Sequence, residues 1–406
     1  MGGAGTATDS VVTMTHLVHP IARAWISTGG TGARNYDEFA DDAEITDIVA
    51  ANPDSALGIE MPHRAPDSLG KSFTEALPDA VERLRRQRAD GRYAPAEQVV
   101  ALYRIDDSYG LFAMVDTAEI STSADEPGRV IRNEDVFLEK VRERVALAEA
   151  TGHLLSPVLL LQTGSELDKA LRAAVESAGA PAVTDVDHVG RTHAVWPVTG
   201  EAAAELAALA GQGELVVADG NHRSLAAQTG GLPRFLAVIT TPASVTIQPY
   251  HRLVSDPPVP LPVLVNRLSA AGATVVEGVP EIPTGGTIIL YGQGSAYAVR
   301  LPGIHGDTIV DGMDHTLVEQ LLFRDALGLE PGDKRITYVG GDYPPSWLTS
   351  EVDAGRADLA ILIAPVTVDD FIAVNLARQK MPRKSTWFTP KARGGLVLAD
   401  LSAETS

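Results

Sequence analysis

The stretch Leu215 to Ala227, LVVADGNHRSLAA, sets an acid, a glycine, an imidazole and a guanidinium between an apolar run and a helical one. Glu214 to Ala218 reads as a buried strand and Ser224 to Gln228 as helix, so Asp219-Gly220-Asn221-His222-Arg223 makes the turn between them. A turn of this kind suits an anion. Gly220 lets the backbone approach a ligand closely. The helix start offers unpaired N–H groups and the positive end of its dipole. Arg223 adds a planar bidentate donor matched to phosphate oxygens. Asp219 could hold Mg²⁺, and His222 could donate to a phosphate. The plain alternative is a strand–turn–helix with a surface salt bridge between Asp219 and Arg223.

Three other clusters carry chemistry-bearing side chains. Met381 to Lys391, MPRKSTWFTPK, brings two cations, Lys384 and Lys391, beside the hydroxyls of Ser385 and Thr386 and the rings of Trp387 and Phe388. Such a set suits a polyphosphate or an acidic substrate, with the rings closing the pocket or packing on a base. The alternative is a C-terminal strand with solvated lysines and core aromatics. His251-Arg252 is either a second anion-binding pair or a buried histidine beside a surface arginine. Glu134, at the start of a predicted helix, is by position a first-turn carboxylate favoured by the helix dipole. Asp185, Asp187, His188 and His193 match no metal-site spacing and read as a polar loop. Phosphate-loop, dinucleotide, zinc-helix and nucleophile-elbow motifs are absent from the sequence.

Asp-Gly-x-His-Arg-x-x-Ala-Ala resembles the phosphate-binding signature of the ParB/sulfiredoxin-like superfamily, whose free-serine kinase branch carries Asp-Gly-His-His-Arg. Here Asn221 takes the place of the first histidine. Val130-Ile131-Arg132-Asn133-Glu134 resembles a second block of that branch, in which an acidic residue within His-Glu acts as catalytic base. Glu134 is the match, with Asn133 where histidine is usual. Gln248 to Val254 (QPYHRLV) and Met381 to Lys391, with Tyr36-Asp37 and Asn52-Pro53 matching more weakly, keep the order of a narrower family. The chain is identified as a member of the "domain of unknown function 1015" family. The resemblance implies phosphoryl transfer from ATP or ADP, with Mg²⁺, to the hydroxyl of a small molecule such as free L-serine or a related amino acid. It gives Glu134 the role of base and Asp219 that of metal ligand and catalytic residue with His222. The nucleotide would lie on Gly220, Asn221, His222, Arg223, His251, Arg252, Lys384, Ser385 and Thr386. A non-catalytic nucleotide-binding regulator and a nucleotide hydrolase are the competing classes, because Asn133 and Asn221 each lack a titratable ring.

Composition narrows these choices. Of 406 residues, 33 are Lys or Arg and 53 Asp or Glu, a formal charge of −20. That balance opposes binding to nucleic acid or an anionic membrane, so neither partner is expected, and a DNA-partitioning role with it. Zero cysteines exclude sulfiredoxin chemistry, disulfides and thiolate metal sites. No run approaches a membrane span, and Met1 to Ser10 lacks the pattern of a signal peptide, so a cytoplasmic protein is expected. Homodimerisation stays open.

The elements that must position these groups are mixed. The periodicity predicts helices over Leu69–Gly91, Asp135–Ala150, Glu166–Ala178, Ala202–Leu209, Leu264–Ala271, Thr316–Leu327 and Val368–Gln379. It predicts a hairpin of Val99–Ile105 and Tyr109–Val115 about Asp106-Asp107-Ser108. Further strands are expected at Pro157–Leu161, Val183–Val186, Ala194–Pro197, Phe235–Thr240, near Gly286–Tyr291, Ala296–Leu301 and Leu359–Ile363, with a strand or loop near Ile336–Val339. The first hundred residues otherwise read as irregular. The class is α+β, a mixed α/β chain. Three portions are expected: 1–120, a phosphate-binding ParB/sulfiredoxin-like domain over 121–256, and 257–406 after the Pro257-Pro258-Val259-Pro260 punctuation.

Overall fold

The computed structural model describes residues 16–39, 41–121, 128–132, 136, 138–278, 283–292, 294–304 and 306–404. It is an α+β molecule built on two large sheets.

The hairpin forms as its sequence requires, with Tyr93–Ile105 and Ser108–Asp116 joined by Asp106-Asp107. Asp106 adopts a φ of 48°, a left-handed conformation that Asp tolerates in tight turns. From this hairpin the larger sheet extends both ways. Among the described residues it holds thirteen strands. On one side of Ser108–Asp116 come Arg234–Thr240, Val158–Gln162, Leu215–Asp219 and Val130–Ile131 in that spatial order. On the other side Tyr93–Ile105 pairs with Ile21–Ser27, which pairs with the late strand Val397–Asp400.

Strands from all three expected portions therefore share one sheet. The first hundred residues are also more ordered than their sequence suggests. Ile21–Ser27 is an interior strand, and Asp42–Ala51 and Phe73–Ala89 are helices. The latter begins on a reciprocal capping box between Ser72 and Glu75.

The second sheet holds Thr274–Glu277, Ser295–Arg300, Ile288–Gly292, Leu359–Leu362, His251–Val254 and Ile336–Val339. His251–Val254 thus belongs with the C-terminal sheet, ahead of the proline run. Leu264, Leu268, Leu322 and Phe323 fill the core on one face. The predicted Thr316–Leu327 helix divides into Asp314–Leu317 and a wider π-helical stretch, Val318–Leu327. A small ladder, Thr246–Gln248 with Trp387–Thr389, ties the Lys-Ser-Thr block to the chain entering the second sheet. No helix among the described residues is long and apolar enough to cross a membrane.

Candidate functional site: a cationic cavity at a helix start

Leu215–Asp219 lies between Val130–Ile131, parallel to it, and Val158–Gln162, antiparallel. Its register slips between Val217 and Asp219, which turns the strand end out of the regular ladder. The chain then enters the helix Asn221–Thr229 at once, one residue past Gly220 and three before the predicted start. Gly220 has φ 94°. A Cβ there would stand 3.0 Å from Arg223 Nε and 3.2 Å from Val158 Cα. Both the backbone and the space demand glycine.

Beneath this turn lies the Arg223 guanidinium. Nη1 donates to the Pro157 carbonyl and, at 3.1 Å, to Asn35 Oδ1. Nη2 donates to Asp219 Oδ2 at 2.6 Å. The other carboxylate oxygen, Asp219 Oδ1, accepts from Lys391 Nζ at 2.9 Å. Asp219 is thus held between two cations, one from its own helix and one from the C-terminal block. Burial alone would lower the Lys391 pKa, but Asp219, Glu38 and Asp37 outweigh it and raise it. The ammonium also lies 4.1 Å from the Trp387 ring centroid, a cation–π contact.

A third segment reaches the site from the N-terminal region. Asn35 and Glu38 form a capping box around the short turn Tyr36–Glu38. Asn35 Nδ2 donates to Glu38 Oε1 at 2.7 Å and to the Ala392 carbonyl at 3.2 Å. This fixes Asp37, between them, against the other two segments.

The three segments border one cavity lined by Asp37, Asp219, Gly220, His222, Lys384 and Lys391, with Asn221, Tyr250 and Thr386 completing the wall. Lys384 holds the left-handed φ of 57°, a sparsely populated conformation for a lysine, and its ammonium lies 5.6 Å from the Tyr250 ring centroid. Burial presses the His222 imidazole down to about 4, with Asp37 opposing and Lys384, Lys140 and Arg223 adding to the effect. It is neutral at pH 7 and can donate one N–H without carrying charge. Asp37 is pulled the other way. Burial favours its acid form, but Lys384, Lys391, Arg223 and His222 outweigh burial and hold the carboxyl well below its ordinary range. The cavity is a place for an anion, bordered by the carboxylates of Asp37 and Asp219.

Of the residues picked out in the sequence, Asp219, Gly220, Asn221, His222, Lys384 and Thr386 all border this cavity. Glu134 and Asn133 lie outside the described residues. Four others turn away. Arg223 is engaged inward, with Pro157, Asn35 and Asp219 taking its Nη donors, so it supports the turn instead of facing a phosphate. Ser385 is buried and donates to the Pro382 carbonyl at 2.6 Å. His251 accepts from the Ile363 backbone N–H at 3.1 Å within the second sheet, and burial, then Arg252, push it down to about 4. Arg252, 0% exposed, donates to the Tyr250 and His251 carbonyls and stacks 4.4 Å from the Tyr338 centroid. The pair is engaged within the second sheet and does not line the cavity. The Asp185 to His193 group is also internally matched. Asp185 pairs with Arg393 at 2.7 Å, and Asp187 with His193 at 3.2 Å.

Mg²⁺ at Asp219 fits poorly, because both oxygens already hold cations. No cluster of three or more His, Asp or Glu suited to a metal occurs among the described residues. Sequence reasoning gave no role to Asn35, Glu38 or Asp37, although Tyr36-Asp37 carried a weak family match. Nor did it give one to Tyr250, which packs edge-on to Trp387 with ring centroids 5.5 Å apart.

The fold and site define an α+β protein with a cationic cavity at the N-terminus of a helix. The chain belongs to the family described as "Protein of unknown function (DUF1015)", whose profile matches residues 31–316. Lys384 and Lys391 lie beyond that match. No curated protein matches the chain. Among solved structures it is similar to free serine kinase in complex with AMP, at 14% identity and a TM-score of 0.39 over 68% of this chain and 87% of that one. It is also similar to C-terminally truncated SbnI from Staphylococcus aureus, at 13% identity and 0.41 over 72% and 88%. A conserved hypothetical protein from Pyrococcus furiosus matches at 13% identity and 0.37 over 68% and 90%.

Proposed function

We propose that this cavity binds the phosphates of a nucleotide, ATP or ADP, and that the protein passes a phosphoryl group to the hydroxyl of a small molecule, with free L-serine or a related amino acid the first to test. One observation carries the reading. A glycine turn at a helix start, the neutral His222 and the cations Lys384 and Lys391 come from distant parts of the chain to line one cavity. Phosphoryl transfer asks little else of a protein than positioning and charge neutralisation. The first N–H groups of Asn221–Thr229 and the His222 N–H would hold phosphate oxygens. Lys384 and Lys391 would neutralise charge that develops on them, and the Thr386 hydroxyl would add a donor. Arg223 and Asp219 would keep the turn and Lys391 in place. Glu134, by its match to the kinase branch, would accept the hydroxyl proton. A divalent cation bound with the nucleotide would supply further charge neutralisation.

The test is incubation with ATP or ADP, Mg²⁺ and a panel of amino acids, followed by phosphorus NMR. A new phosphate ester supports the kinase. Inorganic phosphate alone identifies a hydrolase, and unchanged nucleotide despite measurable binding identifies a regulator.

A further inference from the structure

The sequence motif points a divalent cation at Asp219, but each oxygen of that carboxylate already holds a cation: Oδ2 holds Arg223 at 2.6 Å and Oδ1 holds Lys391 at 2.9 Å. A second carboxylate borders the same cavity. Asp37 Oδ1 is buried and accepts no hydrogen bond among the described residues. The turn that carries it is tied down on both sides. Asn35 and Glu38 cap it, and Asn35 is bonded both to Arg223 and to the Ala392 carbonyl. A buried acceptor left open on a fixed turn is costly, and such groups call for a missing partner.

We propose that Asp37, and not Asp219, anchors the divalent cation that accompanies a nucleotide in this cavity. The assignment rests on the nucleotide reading above. Mg²⁺ is commonly held by one or two carboxylates together with substrate phosphates and several waters, so one carboxylate with an open oxygen beside a phosphate site is sufficient protein ligation. The surroundings add a condition. Lys384, Lys391 and Arg223 all act on Asp37. Together they repel a bare dication, so the metal binds only when phosphates have neutralised them. Metal and nucleotide must therefore bind cooperatively, and by linkage each raises the affinity of the other by the same factor.

Mn²⁺ as a paramagnetic probe, followed by electron paramagnetic resonance, with ADP titrated calorimetrically in EDTA and in Mn²⁺, tests this without any turnover. In the wild type, ADP should tighten Mn²⁺ binding at least tenfold, and Mn²⁺ should tighten ADP binding equally. Asp37→Asn should bind ADP in EDTA as well as the wild type or a few-fold better, since a like charge has left the phosphate site, and should lose the Mn²⁺-dependent gain. Intact ADP binding in EDTA also establishes that the variant is folded. Asp219→Asn should weaken ADP binding in EDTA, because Arg223 and Lys391 lose their anchor, yet the ADP it binds should still tighten with Mn²⁺ by a similar factor. The assignment is overturned if Asp37→Asn keeps the gain, or if the wild type binds ADP with no gain from Mn²⁺. It is also overturned if Asp37→Asn loses ADP binding in EDTA, which would make Asp37 a structural residue. Failure of the wild type to bind ADP at all would remove the nucleotide reading itself, and the anchor with it.

Discussion

Replacing Lys391 by methionine removes an ammonium that the structure commits to Asp219, and the size of the effect follows from the geometry. The Nζ–Oδ1 separation is 2.9 Å, and the two side chains are 12% and 15% exposed. At an effective dielectric of about 20, two unit charges that close attract by about 6 kcal/mol before desolvation is charged against them. The second oxygen of Asp219 already holds Arg223, which shields the remaining charge and lowers the net value towards that of an ordinary charged hydrogen bond, about 1.5–3 kcal/mol. The Trp387–Thr389 strand sits immediately before Lys391 and pairs with Thr246–Gln248. Its amides should therefore open more easily once the clamp is gone. Native-state hydrogen exchange by mass spectrometry reads this locally, without requiring a two-state transition from so long a chain. At about 1.4 kcal/mol per tenfold, Lys391→Met should speed exchange in the Trp387 peptide by about ten- to a hundredfold. Asp219→Asn should do much the same, and the double variant should add little to either, because both remove one interaction. If the two effects add, or if exchange changes less than about threefold, Asp219 and Lys391 do not form a clamp and the description of the site fails.

Gly220→Ala must adopt a left-handed backbone and meet Arg223 and Val158 at 3.0–3.2 Å; a loss of about 2–4 kcal/mol is expected, read as a lower melting temperature and weaker pyrophosphate binding in calorimetry, and a wild-type result would contradict the packing. Arg252→Lys should lower the melting temperature by several degrees, since the fork that reaches the Tyr250 and His251 carbonyls is lost, while ADP affinity stays within about twofold; a large affinity loss in a protein of normal melting temperature would return Arg252 to the site. His222 and His251 are held to about 4 in the fold against 6.5 when free of it. The unfolded chain binds more protons between those values, so stability is complete above about pH 6.5 and falls as pH drops to 4, by up to about 3 kcal/mol for each ring. Melting temperatures from pH 7.5 to 4.5 measure it. His251→Asn should flatten the curve, and an unchanged slope would mean that His251 is not the buried neutral ring described.

The elements that position the site were legible where hydrophobic period and turn chemistry agreed. Leu215–Asp219 is a fully apolar run closed by Asp-Gly, and Val158–Gln162 is another such run. Buried strands of that kind announce themselves without knowledge of their neighbours. Ile21–Ser27 did not. Its sequence, IARAWIS, sets Arg23 inside the apolar run and gives two positions to alanine, a weak strand former. Its place in the sheet depends on Val397–Asp400, nearly four hundred residues away, and on Tyr93–Ile105. A strand whose partners come from the far end of the chain shows little of this locally.

The same distinction explains which site residues could be read. A phosphate signature compresses glycine, imidazole and helix start into a few consecutive positions, so its outline survives in one dimension. What the side chains do there does not survive, because it depends on what arrives from elsewhere. Arg223 was read as a ligand because an arginine at a helix start faces a phosphate when nothing else claims it; here Pro157 and Asn35 claim it. Asp219 is a metal ligand by the family resemblance, yet Lys391, from the far end of the chain, lies on its second oxygen. Asp37 was overlooked for the converse reason. An aspartate in a short polar turn is ordinary in sequence, and only the cations brought around it by two other segments make an open oxygen there mean anything. If the site is tuned by that convergence, ADP affinity measured by calorimetry should fall as far in Asn35→Ala, which removes the bonds from the turn to the Ala392 carbonyl and to Arg223, as in substitutions within the Asp-Gly-Asn-His-Arg signature itself; an unchanged affinity would refute it.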